Sequence, residues 1–103
     1  MTGISEQTHQ MRLVKSVHLD VDEFEGELIL MNLESQQVIM LNAAGLALWH
    51  GLETVPTRRA AIELVKEALP SVDPAETERG VEALINRLVE GGFLREVPEP
   101  AAG

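Results

Sequence analysis

Side-chain chemistry needs titratable or nucleophilic groups brought together at short range, and in this chain the places to look are few. The histidines His9, His18 and His50 are scattered, and none has a second ligand at helical spacing, so each reads as a surface residue rather than a metal ligand. The run DVDEFEG, Asp20 to Gly26, superficially resembles a calcium loop. Phe24 and Glu25, however, occupy positions that need an oxygen ligand and a glycine, so a solvated acidic turn is expected there. Ser5, Ser16, Ser35 and Ser71 sit in no nucleophile motif, and without cysteine there is no thiolate, disulfide framework or zinc-thiolate site. Gly91-Gly92 ends a helical pattern instead of opening one, which excludes a phosphate loop. No cofactor, no metal and no enzymatic activity of its own are expected.

Charge narrows the partners. A net charge of −9 opposes both nucleic acid and anionic membrane, whose binding needs clustered Lys and Arg. No stretch approaches the ~20 apolar residues of a membrane span, and the first residues lack the apolar centre of a signal peptide. A cytoplasmic location is the expectation. A chain of 103 residues makes one small core. With Phe24, Trp49 and Phe93 as its only aromatics, that core must be aliphatic.

The elements follow from periodicity. Residues 1–10 and 97–103 read as mobile ends around one domain at 11–96. A first strand is expected within Arg12–Leu19, and the acidic run then leads to a hairpin. Its strands hold Leu28 to Met31 and Val38 to Leu41, joined by the polar turn Leu33 to Gln36. Neither strand alternates cleanly, as a hairpin with one wet face should. The second has no Lys or Pro to guard its edge. Asn42 is a good N-cap for a helix carrying Gly45, Leu48, Trp49 and Leu52, in which Trp49 belongs to the core. A second helix starts near Thr57 with Ala61, Ile62, Val65, Ala68 and Leu69 inward, and Pro70 ends it. Asp73-Pro74-Ala75-Glu76 supplies an N-cap, a first-turn proline and a capping-box glutamate for the third, which Gly91-Gly92 stops. Phe93-Leu94 should fold back onto the core. The fold class is therefore α+β: a three-stranded antiparallel sheet followed by three helices, winged-helix-like.

A winged helix suggests a DNA-binding regulator, and this is the rival reading. From Asp73 to Glu90, however, Asp73, Glu76, Glu78, Glu82 and Glu90 face only Arg79 and Arg87. A recognition helix with that balance repels the phosphate backbone.

The segment GELILMNLESQQVIMLNAAGLALWHGLE, followed by a capped helix and VEALINRLVEGGFL, resembles the PqqD-like family of RiPP recognition elements, over about Phe24 to Leu94. The most specific piece is the hairpin running into Leu41-Asn42, Gly45 and Leu48-Trp49. Where the family commonly has Asn-Pro-Glu-Thr-Gly, Asn32-Leu33-Glu34-Ser35-Gln36 keeps the Asn and Glu and lacks the Pro and Gly. The resemblance implies a non-catalytic module. Such a module holds the leader segment of a ribosomally made precursor peptide as an added strand, in a groove closed by the third helix. It presents that leader to a modifying enzyme such as a radical SAM enzyme, a leader peptidase or a cyclase.

The residues fit that expectation independently. An unguarded edge offers backbone groups to an incoming strand while alternate side chains fill pockets. The expected peptide-binding residues are Gln37, Val38, Ile39, Met40 and Leu41 on the strand, with Val81, Leu84, Ile85 and Leu88 on the third helix. At about 100° per residue, the apolar residues of that helix span roughly 140°, wider than a core stripe needs. The excess either lines the groove or packs under the sheet. Gly80 is either a close-approach point for a peptide backbone or a tolerated substitution. The second apolar face of the hairpin is left to the N-terminal segment, to a partner enzyme or to weak self-association.

Overall fold

The computed structural model describes residues 11–53 and 57–98. The expected mobile N-terminus at 1–10, and residues 99–103 of the expected tail, lie outside the described residues. The order is β1 (Met11–Lys15), β2 (Leu19–Phe24), β3 (Glu27–Asn32), β4 (Val38–Leu41), α1 (Ala43–Gly51), α2 (Arg58–Ala68), α3 (Pro74–Glu90) and β5 (Leu94–Pro98). Strands β2-β3-β4 form an antiparallel meander and the three helices follow it, which is the α+β arrangement expected. A second, two-stranded sheet pairs β1 with β5, from Met11 opposite Pro98 to Lys15 opposite Leu94.

Two strands differ from the sequence reading. The acidic run is not a solvated connection but strand β2, paired with β3 from Leu19–Asn32 to Phe24–Glu27. Only Leu19 of β2 is partly covered, so the strand is held by its ladder more than by packing, and Asp20 and Asp22 stay in water. Glu25 and Gly26 both have positive φ, 53° and 81°, the signature of the two-residue turn whose twist suits a hairpin. The expected first strand is β1, and it joins the sheet formed with β5 instead of the meander. Strand β5 continues through Val97 and Pro98, past residue 96 where the domain was expected to end.

The helices start where their caps dictate. The side chains of Asn42, Thr57 and Asp73 accept from the N–H groups of Gly45, Ala60 and Glu76, all at 3.2 Å. The core is aliphatic as expected. Leu28 and Leu30 of β3, Leu48 of α1, Ile62 and Val65 of α2, Ile85 and Leu88 of α3 and Leu94 of β5 are all fully buried. Trp49 is buried with them, and the Lys15 ammonium sits 4.6 Å from the centre of its ring.

Candidate functional site

The site is built on strand β4, which lies at the edge of the meander. Its register with β3 runs from Leu28–Leu41 to Met31–Val38. At the turn, the Asn32 N–H donates to the Gln37 carbonyl (2.8 Å). Alternation along the antiparallel ladder then turns the backbone groups of Ile39 and Leu41 towards β3, and those of Val38 and Met40 towards the open side. Side chains alternate in the other sense. Leu41 is buried and Ile39 half-buried on the inner face, while Val38 and Met40 are exposed on the outer one.

The turn that launches β4 is held by one side chain. Asn32 Oδ1 accepts from the N–H groups of Glu34 (2.9 Å) and Ser35 (3.2 Å), while Nδ2 donates to the carbonyl of Gly91 (3.0 Å) at the end of α3. Asn32 is buried, so these bonds satisfy groups that would otherwise be costly to desolvate. Gln36 takes φ +63°, the left-handed conformation that glycine adopts freely. At its far end β4 is fixed by Gly45: a Cβ there would lie 2.7 Å from Leu41 Cβ, so only glycine lets α1 approach so closely.

Between β4 and α3 runs a groove with two widenings. The larger, about 470 Å³, is walled by Met40 and Leu41 on one side and by Val81 and Leu84 on the other, with Ala44, Val65, Leu69 and Val72 as its floor and end. The smaller, about 340 Å³, lies between Gln37, Val38 and Ile39 on the strand side and Arg87, Glu90 and Phe93 on the other. Arg87 lines both. The structure thus gathers Gln37, Val38, Ile39, Met40, Leu41, Val81 and Leu84 around one groove.

Ile85 and Leu88 require correction. Both are fully buried and line neither widening. On α3, Val81, Ile85 and Leu88 recur at helical spacing as the core stripe. Thr77, Gly80, Leu84 and Arg87 form the neighbouring stripe that faces the groove. Sequence reasoning missed Thr77 and Arg87 because it followed hydrophobicity, and it missed Ala44, Leu69 and Val72 because they come from other elements. Gly80 lines the groove, and a Cβ there would meet nothing. The Thr77 hydroxyl is buried without a hydrogen-bond partner.

Ion pairs hold the helix wall from behind. Glu78 on α3 meets Lys66 (3.2 Å) and Arg59 (3.4 Å) of α2, and these hydrogen bonds, that of Lys66 foremost, hold its carboxyl below the usual range. Arg58 grips Glu96 of β5 with two bonds, at 2.6 and 3.1 Å, and reaches Asn86 of α3 at 2.8 Å. The Arg58 hydrogen bond lowers the Glu96 pKa against a smaller opposing effect of burial. His18 and His50 are exposed beside Glu34 and Glu23, and His9 lies outside the described residues. Among the described residues no three His, Asp or Glu side chains converge on a metal position. No described helix is long and apolar enough to cross a membrane.

Fold and site together define a winged-helix-like α+β domain with an open sheet edge beside a lined groove. The family model for coenzyme PQQ synthesis protein D (PqqD) matches residues 27–94, and the chain belongs to that family. Its fold is similar to that of TbiB1, solved in complex with the TbiA(beta) leader peptide. The TM-score is 0.67 at 21% identity, over 87% of this chain and 99% of that one. No curated protein sequence matches the chain.

Proposed function

We propose that this protein is a RiPP recognition element. It captures the leader of a ribosomally made precursor peptide as a strand added beside β4, and presents it to a modifying enzyme. That enzyme is a radical SAM enzyme, a leader peptidase or a cyclase, and this chain needs no cofactor and performs no catalysis itself. The observation that carries the reading is an edge strand, unguarded by charge or proline, whose free backbone groups at Val38 and Met40 border a lined groove. Family membership and the leader bound to TbiB1 support it. The acidic α3 leaves the DNA-binding alternative without support.

Proline substitution on β4 tests the mechanism. The Val38 N–H points to the open edge, so Val38→Pro should leave the domain folded and weaken binding of the leader encoded by a neighbouring precursor gene at least tenfold. Ile39→Pro removes a bond to Leu30 and should instead lower the melting temperature. Calorimetry beside thermal melts separates the two. Full-strength binding by a folded Val38→Pro variant would exclude strand addition at this edge.

A further inference from the structure

We infer that Arg87 is an anion subsite, so that the bound peptide carries an aspartate or glutamate two positions from the bulky aliphatic residue that fills the larger widening. The inference rests on the groove being a peptide site, and it names the side chains that site selects.

Three observations carry it. Arg87 is placed where the two widenings meet, on the stripe of α3 that faces β4. It is also uncommitted. The chain has 17 Asp and Glu against 8 Lys and Arg, yet among the described residues no carboxylate lies within ion-pair distance of Arg87. Lys15, Arg58, Arg59 and Lys66 all pair elsewhere, and Arg12, Arg79 and Arg95, which like Arg87 make no ion pair, line neither widening. Glu90, one turn further along and lining the smaller widening, leaves the guanidinium free. Finally, Leu41, Val81 and Leu84 flank the position on the inner side, and a strand added beside β4 would exclude water there, where a bidentate arginine–carboxylate pair is stronger than at an open surface.

The spacing follows from the pleat. Residues of an added strand that lie opposite Leu41 and Ile39 share its inner face and are two positions apart. The one opposite Leu41 enters the larger, apolar widening, and the one opposite Ile39 lies beside Arg87. In a peptide antiparallel to β4 the aliphatic residue comes first; in a parallel one the acid does. Glu90 makes the subsite fit for one carboxylate and opposes a second. The competing role for Arg87 is a stem that covers apolar wall while its head stays in water. That role gives no preference for acid.

A random dodecapeptide display library selected on the whole protein, on R87Q and on R87E decides between them. Arg87 is exposed, so equal melting temperatures of the three are expected and checked first. On the unaltered protein the enriched peptides should pair a large aliphatic residue with Asp or Glu two positions away. R87Q should keep the aliphatic preference and lose the acid, and R87E should replace the acid with Lys or Arg. A synthetic peptide from the first selection should bind R87Q at least tenfold more weakly by fluorescence anisotropy. Aliphatic enrichment without an acid, or an acid that persists on R87E, overturns the subsite and leaves the peptide groove standing. Enrichment of no peptide at all overturns the groove reading, and the subsite with it.

Discussion

Gln36 stands where the family ordinarily has glycine, and the structure gives it glycine's conformation, φ +63°. A side chain in the left-handed region costs about 1–2 kcal/mol, of which glycine's greater loss of freedom on folding returns about 0.5–1. Gln36→Gly should therefore stabilise the domain by about 0.5–1 kcal/mol and raise the melting temperature by a few degrees in a calorimetric scan. A lower melting temperature would mean that the Gln36 side chain holds the turn by a contact worth more than its backbone strain. The turn survives without the family's proline and glycine because Asn32 accepts two backbone N–H groups across it. That role was not legible beforehand: the asparagine was visible, but its third partner, Gly91, is 59 residues further along the chain.

At the scale of elements, what was legible was what local physics decides. The helix starts at Asn42, Thr57 and Asp73 were readable because a cap is a bond between residues three apart. Strand β2 was obscured because its carboxylates outweighed the alternation Leu19-Asp20-Val21-Asp22, although charges on a water-facing side do not oppose a strand. Strand β5 was obscured for a tertiary reason, since nothing local marks Leu94–Pro98 as a strand until β1 lies beside it and Arg58 takes Glu96. The groove was half legible, because hydrophobicity marks the core stripe of α3 and not its neighbour. The Arg58–Glu96 bond ties α2 to β5 and gives stability a pH dependence of definite sign. The folded pKa of Glu96 is below its unfolded value, so the contribution is complete above about pH 4.5 and is lost as pH falls through the lowered folded value. At neutral pH, Glu96→Gln should cost about 1 kcal/mol, and in acid titrations followed by circular dichroism the gap between variant and parent should close below pH 4.5. A gap that stays constant to low pH would assign the loss to packing instead of charge.

For the molecule as a whole, the open question of the sequence was what covers the second apolar face of the hairpin. The inner face, with Leu28, Leu30 and Leu41, is sealed by the helices. The outer face presents Met31, 37% exposed, beside Val38 and Met40, 54% and 60% exposed, and among the described residues nothing lies over it. Weak self-association through this face is the expected behaviour of the protein alone, in competition with a partner enzyme. Sedimentation velocity over a wide concentration range should show reversible dimer that Met31→Lys abolishes, the lysine being placed opposite Asp20 on β2. A monomer throughout would assign the face to an enzyme or to the N-terminal segment. Asn32 carries a consequence for the energetics of capture. One side chain holds both the turn that launches β4 and the carbonyl that closes α3, so strand and helix cannot separate there without uncovering a buried amide. On the proposed function, this tie holds the Gln37 end of the groove in place before a peptide arrives, which limits the affinity lost to a closed population. The ordering cost of such binding then falls mainly on the peptide. A stiffer ligand, restrained in an extended form before it arrives, should bind this groove more tightly than a flexible one of the same sequence.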